Sequence, residues 1–390
     1  MLLRMLLLLL LVLGATAQPQ AFVGTAPNGS LMFTSANGEV RVDGVDLLRM
    51  LQRLDAHLSG LKCADVVDTT RVTVPSGAGK WNRGVLAPNG KIYGIPFNAE
   101  SVLIIDPFME TIDVTSITVP VGGSKWIGGV VASNGRVYGM PFEAESVLII
   151  NPFSNTIDIT TITGLIGKAK WEGGILARNG KIYGIPQSSD VVLVIDPVTN
   201  TADTIAILGA SMASKYTSAV LAQNGKIYYL PSSATSVLVV DPETNTSALL
   251  GNFPEGAKWW SAGLALNGKI YTVPYHATSV LIIDPRTNVT DTTTIDGLNI
   301  VPGHTWGGAV VTDTGKLYGI PHSAESVFII DPAINAVDFA TLGVPTPTPA
   351  GWVGGVLAPN GKIYGIPFSA ESVLIIESVC SVTAGVGHRP

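Results

Sequence analysis

Short apolar runs alternate with glycine-rich turns along most of the chain, and the same order of runs and turns occurs seven times. The shared pattern is K-W-x-G-G-V-L-A-x-N-G-K-I-Y-G-I-P-F-x-A-E-S-V-L-I-I-D-P-x-T-N-T. Its opening aromatic residue lies at Trp81, Trp126, Trp171, Tyr216, Trp259, Trp306 and Trp352. A period of about 45 residues, dense in β-branched residues and glycine, predicts an array of small sheets rather than a helical solenoid.

Four strands are predicted in each copy, as the first copy illustrates. Asn89 and Gly90 separate two apolar runs, and Asn-Gly there is a strong hairpin signal because both residues tolerate positive φ. A third strand, Ser101–Ile105, is nearly continuous in Val, Leu and Ile, as expected when both faces are covered. The Thr-rich stretch Thr111–Val119 supplies the fourth strand. Four antiparallel strands per copy are typical of a propeller blade, so we predict an all-β, seven-bladed β-propeller.

The third residue after each opening aromatic is small in every copy: Gly84, Gly129, Gly174, Ala219, Ala262, Ala309 and Gly355. Because the innermost strands of a propeller converge on its axis, we expect these positions to lie where larger side chains would collide. The aromatic residues begin the inner strands, where we expect them to pack between neighbouring blades.

The two ends of the array predict how the ring closes. The last copy stops after its third strand, Ser372–Ile376. The missing strand is at the other end of the chain, because Val66–Pro75 aligns with Thr111–Pro120. Cys63 and Cys380 both fall in the turn that links the third and fourth strands of the other blades. We therefore expect the N-terminal strand to complete the seventh blade, and a Cys63–Cys380 disulfide to replace the missing turn.

The repeat resembles the YVTN-type repeats of the bacterial YncE-like seven-bladed propellers. The shared elements are the N-G-K-I-Y hairpin, the S-V-L-I-I-D strand and the T-N-T turn after it. That family is functionally diverse, so the resemblance implies the propeller architecture and little about activity.

The chain begins with the features of a secretory signal. Arg4, the apolar run Leu6–Leu13 and the small residues up to Ala17 follow the order of charge, apolar core and cleavage site. We expect residues 1–17 to be removed and the protein to be secreted. Residues 63–380 then form the propeller, and residues 381–390 form a flexible tail. We expect no membrane span, because no later stretch is long and apolar enough.

Residues 18–62 are predicted to form a small hairpin and a helix. Leu31–Ser35 and Glu39–Val42 flank an Asn-Gly pair, which predicts the hairpin. A heptad seam predicts a helix that follows, with leucines at Leu47, Leu51, Leu54, Leu58 and Leu61. The seam either joins copies of the chain into a homo-oligomer or docks on the propeller.

Composition narrows the classes of partner. Hydrophobic residues make up 46% of the 390 residues and charged residues 13%, which is ample for a packed core. A formal net charge of −6 argues against nucleic-acid binding, which requires a basic surface. Asn28, Asn245 and Asn288 lie in N-x-S/T sequons and are candidate glycosylation sites in an exported chain.

One face of the disc carries the variable positions, because the loops after the I-P step change while the packing positions stay the same. Such a distribution is typical of recognition on a rigid scaffold. We therefore predict a non-catalytic protein that binds a protein or glycan partner, without a cofactor. The candidate binding residues are Phe97, Phe142, Gln187, Tyr275, His276, His322 and Phe368. Lysines before the aromatics alternate with acidic loop residues on this face, which favours salt bridges between blades.

An alternative is a secreted metal-dependent lyase or hydrolase. Four residues map to one corner of the variable face: His276, His304, His322 and Glu325. Imidazole and carboxylate groups bind divalent metals or act as bases. Propellers similar to the virginiamycin lyases also use a His and Glu group on this face.

Overall fold

The computed structural model describes residues 21–25, 31–35, 41–42, 45–46, 61–207, 215–303, 305–345 and 347–382. The chain divides into two compact units. Residues 65–377 form one, and the two chain ends, up to residue 64 and from residue 378, form the other. Among the described residues, no helix is long and apolar enough to cross a membrane.

Short strands form the described N-terminal part. Strand β1 (Ala21–Thr25) pairs antiparallel with β2 (Leu31–Ser35), and β3 (Arg41–Val42) pairs with β4 (Val45–Asp46). The predicted partner of Leu31–Ser35 was therefore wrong. The sequence Pro-Asn-Gly at 27–29 carries the same turn signal as the blade hairpins, and the strand before it provides the partner.

The predicted leucine helix is not supported where the structure describes its ends. Val45–Asp46 is strand β4, and Leu61 begins strand β5 (Leu61–Asp68). The other four leucines of the seam lie outside the described residues, as do the signal segment 1–17 and Asn28. Homo-oligomerisation through this seam stays a prediction. At the other end of the chain, the predicted tail begins later than residue 381, because strand extends to Val382.

Seven four-stranded sheets form the blades of an all-β propeller, which confirms the predicted architecture. The first strands of successive blades contact one another around the full ring and are therefore the inner strands. From inner to outer edge, the strands are β6 (Trp81–Leu86), β7 (Ile92–Pro96), β8 (Leu103–Asp106) and β9 (Thr111–Asp113) in blade 1, and β10 (Trp126–Val131), β11 (Val137–Pro141), β12 (Leu148–Asn151) and β13 (Thr156–Asp158) in blade 2. In the same order, they are β14 (Trp171–Leu176), β15 (Ile182–Pro186), β16 (Val191–Asp196) and β17 (Thr201–Ala206) in blade 3, and β18 (Tyr216–Leu221), β19 (Ile227–Pro231), β20 (Val237–Asp241) and β21 (Thr246–Leu250) in blade 4. They are β22 (Trp259–Leu264), β23 (Ile270–Pro274), β24 (Ile282–Asp284) and β25 (Val289–Asp291) in blade 5, β26 (Trp306–Val311), β27 (Leu317–Pro321), β28 (Phe328–Asp331) and β29 (Ala336–Asp338) in blade 6, and β30 (Trp352–Leu357), β31 (Ile363–Pro367), β32 (Leu374–Val382) and β5 in blade 7.

Apolar clusters lie between neighbouring blades, one at each of the seven interfaces. The opening aromatics are buried in these clusters, as predicted; Trp81 packs with Tyr364 and Ile366 of blade 7. Each of the six opening tryptophans also donates its indole N–H to a carbonyl near the start of its own blade's third strand, as from Trp126 to Ser146 at 2.7 Å. The aromatic ring therefore both fills the interface and anchors its blade.

Small residues of the inner strands meet two different neighbours. A Cβ at Gly84 would lie 2.7 Å from Cδ1 of Ile366, so the predicted small position accommodates the I-P isoleucine of the preceding blade. Close backbone approach occurs one residue earlier, since a Cβ at Gly308 would lie 2.7 Å from the Cα of Gly354. The inner strands therefore converge at the second residue after the aromatic, not at the third.

In six of the seven blades, the Asn and Tyr of the N-G-K-I-Y hairpin contact the turn between the third and fourth strands of the next blade, on the face opposite the variable loops. Asn134 of blade 2 donates from Nδ2 to the carbonyl of Pro197 at 3.1 Å, and Tyr138 donates from its hydroxyl to Asn200 Oδ1 at 2.8 Å. Equivalent contacts join Asn89 and Tyr93 to Pro152, Asn179 and Tyr183 to Pro242, Asn224 and Tyr228 to Pro285, Asn267 and Tyr271 to Pro332 and Asn335, and Asn360 and Tyr364 to Pro107. The residues of these repeated motifs therefore hold neighbouring blades together.

Two of the sequons belong to this clamp. Asn245 and Asn288 lie in their turns at φ of 53° and 54°, and their Oδ1 atoms accept from the hydroxyls of Tyr183 and Tyr228. The clamp accounts for these asparagines without a sugar, and glycosylation stays a prediction.

We expect Tyr138→Phe to lower the free energy of unfolding by about 1 kcal/mol, because Asn200 Oδ1 loses its donor while the ring stays packed. Tyr229→Phe is the matched control, since the buried hydroxyl of Tyr229 has no partner among the described residues. Removing that hydroxyl should leave stability unchanged or raise it. Urea unfolding of both variants measures the difference, and equal losses would contradict the clamp.

The N-terminal strand completes the seventh blade, as predicted, because β5 lies beside β32 at the outer edge. Thr73 forms a further bridge with Ser372. Tyr318 of blade 6 donates to Asp65 Oδ2 at 2.6 Å, at the place where the other blades meet a Pro-Asn turn. Cys63 lies in β5 and Cys380 in β32, so the two cysteines belong to neighbouring strands.

Ion pairs reinforce the closure between blades 7 and 1. Lys362 Nζ lies 2.7 Å from a carboxylate oxygen of Glu110 and 2.7 Å from one of Glu377. Arg71, from the segment after β5, also pairs with Glu377. These cations lower the pKa of the Glu377 carboxyl. The N-terminal segment is thereby joined to the ring by charge as well as by strand pairing.

Candidate functional site

Backbone hydrogen bonds run around the variable face and fix the residue that follows each I-P step. Within a blade, the N–H of that residue donates to the residue before the aromatic, as from Phe97 to the carbonyl of Lys80 at 3.0 Å. Its own carbonyl accepts from the next blade, as from the N–H of Lys125 at 3.0 Å. The pattern runs from blade 1 to blade 5, and from blade 6 through blade 7 back to blade 1. The variable residues are therefore held at fixed places around the mouth of the channel, the space that the inner strands enclose.

Aromatic side chains form a continuous row at this mouth, which we name the aromatic arc. Its members, in order of contact, are Phe142, Phe97, Phe368, His322, Trp260, Tyr275 and His276. Neighbouring ring centroids are separated by distances from 4.2 Å, between Tyr275 and His276, to 6.3 Å, between His322 and Phe368. The arc unites six of the seven predicted binding residues, and all its members except His276 are partly buried.

The remaining part of the mouth, in blades 3 and 4, is polar. Gln187 is the seventh predicted residue, and its Oε1 accepts from Ser188 Oγ at 2.7 Å. Ser232 takes the equivalent place in blade 4 and is buried. The mouth therefore has an apolar side and a polar side.

The lysines that precede the aromatics are buried beneath this face. Lys170 Nζ lies within 3.1 Å of three backbone carbonyls, and the burial lowers its pKa. Of the five lysines, Lys215 alone lies within ion-pair distance of a carboxylate of the described residues, Asp190, at 2.8 Å. Within the described part of the chain, the predicted ring of salt bridges is thus limited to one pair, because the loop carboxylates are exposed while the ammonium groups bond to the backbone.

An arginine crosses the channel below the arc. Arg83, in the inner strand of blade 1, donates to the carbonyl of Glu172 at 3.0 Å and to the carbonyl of Thr217 at 2.6 Å. Its Nη2 also lies 3.4 Å from Glu172 Oε1, and that oxygen accepts from Trp260 Nε1 at 3.0 Å. We name Arg83, Glu172, Thr217 and Trp260 the channel brace. It joins blades 1, 3, 4 and 5 and meets the arc at Trp260.

Burial dominates the electrostatics of the brace. The side chains of Arg83 and Glu172 are 17% and 9% exposed. Burial raises the pKa of the Glu172 carboxyl, and the charge of Arg83 and the Trp260 hydrogen bond oppose that change. Burial likewise lowers the pKa of Arg83, which the carboxylate opposes. The Glu172 carboxylate therefore depends on Arg83 to remain ionised, while the guanidinium stays protonated and needs the carboxylate as its counter-charge.

Arg83 occupies space in the channel that is free because other blades have glycine at the equivalent position. Arg83 has φ of 60°, in the left-handed region, where the equivalent Gly128 and Gly173 also have positive φ. A Cβ at Gly354 would lie 2.9 Å from the Cα of Arg83. The left-handed conformation costs an L-residue about 1–2 kcal/mol, so the brace must offset this strain.

The channel brace was not predicted from the sequence, although the sequence contains a signal for it. The second residue after the aromatic is Gly or Ser in six copies and Arg83 in the first. The first residue after the aromatic is acidic in a single copy, at Glu172. A lone cation and a lone acid in two adjacent inner-strand positions were the sign of a pair across the channel.

Asn82 has an unpaired acceptor at the same level of the inner ring. It directly follows the aromatic in blade 1, as Glu172 does in blade 3 and Trp260 in blade 5. Asn82 is 7% exposed, and its Oδ1 has no hydrogen-bond partner among the described residues. A buried acceptor that stays unpaired costs about 1–3 kcal/mol, so a donor from outside the chain is expected there.

His322 is neutral at physiological pH. Burial lowers its pKa to about 4. Its Nδ1 lies 3.2 Å from Thr305 Oγ1 and 3.2 Å from Ser323 Oγ. The ring contacts Trp260 and Phe368 on its two sides, so His322 is an integral part of the arc.

The structure does not gather the residues of the alternative metal site. The rings of Tyr275 and Trp260 lie between His276 and His322, and Glu325 is exposed. His304 lies outside the described residues. No group of three His, Cys, Asp or Glu residues able to hold a metal occurs in the part of the chain that the structure describes.

Comparison with known proteins shows the fold of the chain. No family model and no curated protein match it. It is similar to a streptogramin B lyase, with a TM-score of 0.67 and 11% identity over 81% of this chain and 98% of that one. A catalytically inactive His-to-Ala virginiamycin B lyase from Staphylococcus aureus, solved with quinupristin, has a TM-score of 0.63 and 12% identity over 82% and 100%. The extracellular domain of a one-component system from B. thetaiotaomicron has a TM-score of 0.60 and 9% identity over 80% and 39%. The seven-bladed β-propeller is thus common to enzymes and to extracellular domains.

Proposed function

We propose that the chain is a secreted, non-catalytic propeller that binds a protein or glycan partner at the aromatic arc. The arc itself is the observation that carries this proposal. Rings from five blades meet at one mouth, and the backbone hydrogen bonds around the face hold them in place. Clustered, partly exposed aromatic side chains on a rigid support supply much of the binding energy in known interfaces at little entropic cost.

The arrangement of charge favours binding over turnover. Arg83 and Glu172 neutralise each other, and His322 carries no charge at neutral pH. A catalytic acid and base need pKa values near the working pH and access to a substrate. In the brace, Arg83 bonds to chain oxygens, and Glu172 Oε1 is occupied by Arg83 and Trp260.

Phe97→Ala and Phe368→Ala should each weaken partner binding at least tenfold, because both remove ring area from the centre of the arc. Phe153→Ala is the matched control, since Phe153 is 70% exposed in a turn on the opposite face. Binding to arrays of immobilised glycans and of immobilised secreted proteins measures the loss. The proposal does not survive if the control loses as much binding as the arc variants.

The lyase alternative draws on the fold shared with the streptogramin lyases and on the neutral imidazole of His322 at the mouth. Metal analysis of the purified protein and of His322→Ala separates the two functions. Stoichiometric metal in the wild type that disappears from the variant would favour the enzyme. Equal, substoichiometric metal in both would favour the binding protein.

Secretion, glycosylation and kinship with the YncE-like propellers also remain proposals. Similarity to extracellular domains supports secretion, and the N-G-K-I-Y hairpin supports the kinship. Mass spectrometry of the protein exported by its host should find the chain starting at Gln18. The same spectra should show whether Asn28, Asn245 or Asn288 carries a sugar.

A further inference from the structure

We propose that the partner is a glycan, and that one neutral sugar ring binds at the channel mouth with hydroxyl groups donating to Asn82 and Glu172. This inference rests on the proposed binding function and narrows its ligand to one class. Three features of the mouth support it: unpaired acceptors, a neutralised pair of charges and an aromatic wall.

Acceptors without donors occur at the position directly after the aromatic in the inner strands of blades 1 and 3. Asn82 Oδ1 is buried and unpaired among the described residues. Both hydrogen bonds to the Glu172 carboxylate end on Oε1, so Oε2 receives none from the part of the chain described here. A ligand that satisfies both atoms must bring hydrogen-bond donors, and hydroxyl groups are donors that carry no charge.

The channel brace disfavours a charged ligand. The two Nη atoms of Arg83 donate to the carbonyls of Glu172 and Thr217 and to Glu172 Oε1, so an anion would compete with chain oxygens for them. A cation would meet the guanidinium of Arg83 close to Glu172 in a poorly solvated channel, where like charges repel strongly. A neutral ligand avoids both costs.

The aromatic arc fits the apolar face of a sugar ring. A pyranose has C–H groups on one face and hydroxyl groups around its rim, and aromatic rings pack against the C–H face. The mouth has the same division, because Phe97, Phe368 and Trp260 line one side while Gln187 and Ser232 lie on the other. Binding sites for small polar ligands commonly combine an aromatic wall with a few fixed polar groups.

The test uses the full chain on an array of immobilised neutral oligosaccharides of glucose, galactose, mannose and N-acetylglucosamine. Sulfated and sialylated forms and a set of immobilised peptides complete the array. The wild type should bind at least one neutral oligosaccharide, and Asn82→Leu should weaken that binding about tenfold through loss of one hydrogen bond. The same variant should unfold at the same or higher urea concentration than the wild type, since it removes an unpaired acceptor.

The other outcomes overturn the inference in distinguishable ways. Binding to peptides alone, sensitive to Phe97→Ala, removes the glycan and keeps the proposed function. Binding to the charged glycans alone contradicts the neutral ligand. Unchanged glycan affinity in Asn82→Leu contradicts the placement of the sugar. No binding to any glycan overturns the glycan inference, and no effect of Phe97→Ala on any partner overturns the proposed function as well.

Discussion

Arg83→Gly should destabilise the propeller by about 3 kcal/mol at pH 7, because it leaves the Glu172 carboxylate buried without its counter-charge. Glycine is the residue of choice at this position, since Gly128, Gly173 and Gly354 occupy it in other blades at positive φ. The substitution therefore relieves the backbone strain, and the loss that remains reports on the ion pair.

The double variant Arg83→Gly with Glu172→Ile is the matched control, because it gives blade 3 the Ile-Gly pair found at Ile127-Gly128 in blade 2 and gives blade 1 the same glycine. With both charges gone, most of the lost stability should return. Urea unfolding of the wild type and both variants measures this. If the double variant is as unstable as the single one, the brace is not held by its charges.

The loss in Arg83→Gly should depend on pH. Burial raises the pKa of Glu172 in the folded state above its ordinary value of 4.5. A carboxyl whose pKa is raised by folding contributes no penalty below its unfolded pKa, and a growing penalty as the pH rises toward its folded pKa. The single variant should therefore approach the double variant in stability near pH 4 and fall behind it by pH 7. A constant difference across this range would contradict the role of Glu172.

Cys380→Ser should lower the free energy of unfolding by about 5 kcal/mol, if the two cysteines are joined as we propose, because the disulfide would close a loop of almost the whole propeller. Blade 1 pairs Ile104 with Asp113 and Asp106 with Thr111. We expect the same register along β5 and β32, which would set Cys63 opposite Cys380, and opposed residues of neighbouring strands are close enough for a disulfide.

The control for the disulfide compares the single and double cysteine variants, whose losses of stability should not add. Cys63→Ser, Cys380→Ser and the double variant should all unfold at the same urea concentration, and a reductant should bring the wild type to that value. Peptide mapping without reduction should recover one cross-linked pair. Two free thiols in exported protein, or additive losses, would show that the cysteines act separately.

The architecture could be predicted from the sequence, because the same pattern recurs seven times. The Asn-Gly hairpin at 89–90, the recurring tryptophans and the alignment of Val66–Pro75 with Thr111–Pro120 are all visible without the structure. Turn chemistry and the order of apolar positions are set by residues that are neighbours along the chain. The blade count, the closing strand and the variable face followed from them, and the structure agrees.

Two predictions failed for different reasons. The pairing of Leu31–Ser35 rested on a single turn signal, and a second such signal on its N-terminal side gave the actual partner. The salt bridges expected between lysines and loop carboxylates rested on their alternation in the sequence, which does not show which group each ammonium contacts in the folded chain. Lys170 shows the reason, since its long side chain reaches three carbonyls before it reaches a carboxylate.

The contents of the channel could not be predicted from the sequence. Arg83, Glu172 and Trp260 belong to blades 1, 3 and 5, and no spacing along the chain brings them together. They meet because the inner strands close into a ring, which places the first two positions after each aromatic around one axis. The sequence named six of the seven residues of the aromatic arc one by one, but their joining into one arc above a neutralised ion pair depends on that circular geometry.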